Sequence, residues 1–134
     1  MEKMIQLDGS KETDQVLFEY LWDGIIAGGS KGEVRDRKSL RGWAAIQRKL
    51  QSISIPDPNF NLKTGKPIDG FKGTMRPPSA RNLKEGIQSV SLEVGQVDEI
   101  ISRIEKVPWG GAQEIQVADL IDFLSAAPEV KKET

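Results

Sequence analysis

Five of the seven prolines in this chain fall between Ile55 and Arg81, at Pro56, Pro58, Pro67, Pro77 and Pro78. Proline fixes φ, lacks an amide hydrogen and pushes the residue before it out of the α region, so no helix crosses this stretch. Helical periodicity is confined to its two sides. Thr64-Gly65 and Asp69-Gly70 add turn signals, and Phe60, Leu62, Ile68 and Phe71 are the available anchors. The expectation is a single domain over 1–134 that contains a basic Pro/Gly-rich loop or arm over 55–84, an irregular arm being favoured over the alternative of a two-stranded ribbon. Connections of that length are uncommon in compact domains and are usually functional or disordered.

On the N-terminal side, Val16, Leu17, Phe18, Tyr20, Leu21, Trp22, Ile25 and Ile26 recur at near-helical spacing and predict a helix over 12–27. Ser10 is its expected cap, Glu12 and Asp14 favour its positive end, and Gly28-Gly29 stops it. Apolar residues wrap much of its circumference, more than one core face requires. Tyr20 and Trp22 are therefore assigned to an interface with another molecule. A second helix is expected over 36–52. At 100° per residue, Leu40, Trp43, Ile46, Leu50 and Ile53 share one side, while Arg37, Arg41 and Arg48 share the other with Lys38 and Lys49 flanking them. No acidic residue lies between Lys38 and Lys49, so this basic side has no partner at helical spacing.

Beyond the proline-rich stretch, Val90-Ser91-Leu92-Glu93-Val94 alternates as a half-buried strand does, and Met4-Ile5-Gln6-Leu7 is a candidate partner for it. Helices are expected over 97–107 and 112–126, with Pro108 ending the first and Trp109 closing the space between them. The second of these is apolar enough to be expected at the centre of the core. The fold class that follows is mainly α, with about four helices and at most a small β element, in a compact α-rich domain with a long Pro-rich central loop.

Charge divides sharply along the same boundaries. Residues 31–84 carry 13 basic and 4 acidic residues, a local net charge of +9, while the flanks sum to −10 and the chain to −1. A basic middle between acidic ends points to an anionic partner or to steered assembly. With no His and no Cys, zinc hydrolases, Ser-His-Asp triads, thiolate nucleophiles and redox CxxC centres are excluded on chemical grounds. Gly28-Gly29-Ser30-Lys31-Gly32 does not match the phosphate loop, which needs GxxxxGK[ST] between a strand and a helix. Asp98 and Glu99 are adjacent and diverge on a helix. Asp119 and Asp122 share a face, yet two carboxylates alone make a weak metal or acid–base site.

These features lead to an expectation of no enzymatic activity, no cofactor and no metal. The chain reads as an interaction, assembly or regulatory accessory protein that docks a protein partner or another copy of itself. The expected partner-binding residues are Arg37, Lys38, Arg41, Arg48, Lys49, Lys63, Lys66, Lys72, Arg76 and Arg81. The alternative is a DNA- or RNA-binding module using the same surface, although no helix-turn-helix, RRM, KH or zinc-finger signature is present. No stretch approaches the roughly 18 apolar residues of a membrane span, and the first residues lack a signal-peptide core, so a cytoplasmic protein without membrane attachment is expected. The cysteine-free plan ending in strand, helix, Pro-Trp corner and helix resembles small phage or prophage accessory proteins in outline, with no motif specific enough to carry residues across.

Overall fold

The computed structural model describes residues 1–29, 36–61, 66–70 and 81–130. The chain runs through β1 (Glu2–Asp8), α1 (Glu12–Gly28), α2 (Arg37–Ser52) and the short strands β2 (Ser54–Pro56), β3 (Phe60–Asn61), β4 (Lys66–Pro67) and β5 (Arg81–Leu83). It continues through β6 (Ile87–Glu93), α3 (Val94–Lys106), a 3₁₀ turn (Gly111–Gln113), α4 (Glu114–Ala126) and β7 (Glu129–Val130).

The fold is α+β, which corrects the expectation of a mainly α chain with at most a small β element. Strands β6, β1 and β7 form a three-stranded antiparallel sheet, and β2–β5 and β3–β4 form two further pairs. The β1–β6 ladder pairs Glu2 with Glu93 through to Asp8 with Ile87, so the suggested partnership of these two segments extends well beyond four residues. In the middle of the chain proline forbids helix but not a strand in a two-stranded ladder. Pro56 lies in β2 and Pro67 in β4, where an outer edge needs no amide donor. The expected loop over 55–84 thus holds four short strands, while its residues 62–65 and 71–80 lie outside the described residues.

Alternation gives the main sheet its core face: Ile5 and Leu7 of β1 and Val90 and Leu92 of β6 are buried. Lys3 occupies the same face, and its ammonium is not wasted there. It reaches the C-terminal end of α4 and donates to the carbonyls of Ser125 at 2.8 Å and Leu124 at 3.3 Å. A cation at the negative end of the helix dipole adds donors to last-turn carbonyls, of which Leu124 otherwise has the long bond from the Ala127 amide at 3.4 Å.

Helix α1, rather than α4, is the central one. It packs against α3, α4, β1 and β5, with Phe18, Leu21, Trp22 and Ile25 buried along it. Most of its wide apolar circumference is therefore covered by the chain's own elements, Val16 and Leu17 remaining half-buried. Ser10 does not cap it: the Ser10 hydroxyl accepts the Gly86 amide at 3.1 Å, and the helix begins instead with Asp14 accepting the Asp8 amide at 2.7 Å. Further along, Gly24 and Gly28 let α3 approach closely. A β-carbon at Gly24 would lie 2.6 Å from Cγ1 of Ile104, and one at Gly28 would run into the Arg103 carbonyl.

The Gln15 side chain acts as a short piece of backbone toward β5. Its amide nitrogen donates to the Leu83 carbonyl at 2.8 Å and its oxygen accepts the Leu83 amide at 3.1 Å. At the other end of the molecule, β6 passes into α3 without a loop, the Gln96 side chain accepting the Glu93 amide at 2.9 Å. In the corner after α3, Trp109 donates through Nε1 to the Ile104 carbonyl at 2.9 Å and meets the Tyr20 ring edge-on at 5.6 Å. No helix among the described residues is long and apolar enough to cross a membrane.

Candidate docking interface

Helix α2 begins at Asp36, whose carboxylate accepts the Ser39 amide at 2.8 Å. Its inner side follows the apolar stripe, with Trp43, Ile46 and Leu50 buried. What holds the helix in place is a residue from α3. The Arg103 side chain is 5% exposed; its guanidinium lies over the Trp43 ring, 3.3 Å from the centroid, and Nη1 donates to the Ile25 carbonyl at 3.1 Å. One planar cation thereby ties α2, α3 and the end of α1 together, combining a cation–π contact with a charge-assisted hydrogen bond.

With the inner side so anchored, Arg37, Lys38, Arg41 and Arg48 project outward and are exposed. None of the four makes a hydrogen bond or ion pair among the described residues. Lys49 behaves differently. Its ammonium donates to the Ser91 carbonyl at 2.7 Å and latches α2 to the outer edge of β6, so it serves the fold as well as the surface. Leu40 also departs from expectation: it lies at the margin of the apolar stripe, 60° round the helix from Trp43, and is 51% exposed. The outer face of α2 consequently carries arginines with one exposed apolar residue, Leu40, along their edge and Ala44 between.

Beside this face a cleft of about 590 Å³ opens between α2 and α3, lined by Asp36, Lys38, Trp43, Glu99, Arg103 and Lys106 among others. Its lining mixes charges of both signs around the Arg103–Trp43 stack. Of the remaining residues assigned to partner binding, Lys66 lies on β4 and Arg81 on β5, while Lys63, Lys72 and Arg76 lie outside the described residues. Trp22 is a correction: at 2% exposure, in edge-to-face contact with Phe18 at 6.3 Å, it belongs to the chain's own core, because α1 is surrounded by the chain's own elements. Tyr20 is half-buried against Trp109.

Two features of the face escaped the sequence. Arg103 follows Ile100 by three positions on the flank of α3's apolar stripe, and a cation in that place is the signal by which it could have been found. The exposure of Leu40 had a weaker signal, its angular distance from the centre of the stripe. Among the described residues no group of three acidic side chains is placed to hold a metal ion. Asp119 and Asp122 share the outer face of α4, where both are exposed beside Ile115, itself 73% exposed.

Comparison with known proteins finds no family model, no curated protein and no solved structure that matches this chain.

Proposed function

We propose that this chain is a non-enzymatic accessory protein that docks an acidic protein partner through the outer face of α2. The observation that carries the reading is the set of exposed cations on that face with no partner among the described residues, with the exposed Leu40 at its edge. Such a face works against the helix that bears it. Arg37 and Lys38 stand in the first turn, at the positive end of the dipole, and Arg37 and Arg41 are like charges at i,i+4; each effect costs a few tenths of a kcal/mol or more. A fold gains nothing from that arrangement, whereas an acidic partner does. Electrostatics of this kind speed association and choose the partner, and a central apolar contact such as Leu40 slows dissociation. A cytoplasmic setting belongs to the same reading and is supported by the absence of cysteine.

The test is fluorescence anisotropy with two labelled probes, a helical peptide of alternating leucine and glutamate faces and a duplex oligonucleotide. The peptide is expected to bind at low salt, and the triple variant Arg37→Ala, Arg41→Ala, Arg48→Ala should weaken it roughly tenfold or more while remaining folded by circular dichroism. Peptide binding that is absent in the wild type, or unchanged in the triple variant, overturns the reading. Duplex binding whose salt slope falls by about 2.7 in the variant, roughly 0.9 per lost phosphate contact, would establish the nucleic-acid alternative in its place.

A further inference from the structure

The acidic partner that this face fits is present in the chain itself. Helix α4 turns Val117, Leu120 and Leu124 inward and leaves Glu114, Ile115, Ala118, Asp119 and Asp122 exposed on its outer side. This is the composition of the α2 face with the sign of charge reversed. Each helix shows one exposed branched apolar residue, a small residue one turn further on, and exposed charges of a single sign, arginines and lysines on α2 and three carboxylates on α4. The three acidic residues, like the arginines, have no ion-pair partner among the described residues, so neither face is neutralised by the other within one molecule.

Next to the α4 face lies a groove of about 360 Å³ between α1 and α4. Val16 and Leu17 are half-buried in its lining, and Glu12 and Asp119 supply carboxylates to it. An apolar hollow bordered by acids is the complement of an apolar projection bordered by arginines. Leu40, with Arg37 and Arg41 beside it, is such a projection.

We infer that the α2 face of one copy docks on the α1–α4 groove and outer α4 face of a second copy, Leu40 entering the groove and Arg37, Arg41 and Arg48 meeting its carboxylates. This rests on the docking reading given above and names its partner. The two surfaces differ, so the contact is heterologous: each copy retains one free α2 face and one free α4 face after the first association. Assembly then proceeds head to tail, closing into a ring if the rotation between copies permits and otherwise extending into a filament. Because exposed charges carry much of the complementarity, salt should loosen the assembly.

Sedimentation velocity of the full chain tests this with two variants, one with Arg37→Ser and Arg41→Ser, the other with Asp119→Asn and Asp122→Asn. All four positions are exposed, and far-ultraviolet circular dichroism confirms that each variant folds. The wild type is expected to sediment as species larger than a monomer at low salt, growing with concentration and dissociating at high salt. Each variant alone should stay monomeric. Mixed in equal amounts they should form one discrete pair and nothing larger, since each supplies the face that the other lacks. A wild type that stays monomeric throughout, an oligomer that survives both pairs of substitutions, or a mixture that yields no pair overturns the inference. If the wild type is monomeric yet still binds the acidic peptide, only the identity of the partner falls; if it does neither, the docking reading falls with it.

Discussion

Arg103 shows how much one buried side chain decides. Its guanidinium covers Trp43 and reaches the Ile25 carbonyl, so truncation leaves a cavity, an uncovered ring and a carbonyl with the Gly29 amide as its remaining donor. Arg103→Ala should cost about 2–4 kcal/mol, and Arg103→Lys should recover part of that, since an ammonium carries the charge but neither the flat stacking surface nor the fork. Urea unfolding midpoints of the two variants check the order; equal midpoints for wild type and Arg103→Ala would remove the stack from the account. Lys3 makes a parallel case at the other side of the core. Lys3→Met keeps the buried stem and deletes the ammonium that caps α4, and a loss of about 1–3 kcal/mol is expected from two carbonyls left with fewer donors. The sequence marks the position of Arg103 but neither residue's partner. An arginine on the flank of an apolar stripe and a lysine in an alternating strand look like surface residues until the partner element, distant along the chain, is known.

Elements that rest on local periodicity were the legible ones. The helices expected over 12–27 and 36–52 are found at Glu12–Gly28 and Arg37–Ser52, because stripes of isoleucine, leucine and tryptophan at 3.6-residue spacing leave little choice. The strand expected to end at Val94 instead gives way to α3 at that residue, since β6 and α3 share Glu93 as junction and no turn residue announces it. Sheets formed by strands of two or three residues around prolines carry almost no periodic signal, and they account for the missed fold class. The glycines of α1 illustrate the same limit. Gly24 looks like a weak point in the last turns, yet it and Gly28 are where α3 comes closest. Gly28→Ala should destabilise the chain more than Gly24→Ala, although alanine favours helix by about 1 kcal/mol at both. At Gly24 the added methyl meets Cγ1 of the buried Ile104 side chain, while at Gly28 it meets the backbone of Arg103, which can give less, and overpacking costs about 1–3 kcal/mol or more. Thermal melts of the two variants give the comparison, and a higher melting temperature for Gly28→Ala than for the wild type would contradict the close approach.

Across the whole molecule, the division of charge along the chain becomes a division between two helical faces. The basic stripe of α2 was legible because it is local to one helix, whereas its acidic counterpart required knowing which side of α4 is left uncovered. This separation lets stability and docking be pulled apart. Arg37, Arg41 and Arg48 make no hydrogen bond or ion pair among the described residues that the fold would lose. Replacing Arg37 relieves a cation at the positive end of α2 and, together with Arg41, a like-charge pair. The combined change Arg37→Gln, Arg41→Gln, Arg48→Gln is therefore expected to leave the monomer unchanged or to stabilise it by up to about 1 kcal/mol, a rise of a few degrees in melting temperature. The same three substitutions are expected to abolish association through the α2 face. Melting at high salt, where any assembly is dissociated, isolates the first effect, and sedimentation at low salt reads the second. A variant that melts well below the wild type at high salt would show that these arginines serve the fold after all. One that is as stable as the wild type and no longer associates would separate the docking face of α2 from the scaffold that presents it.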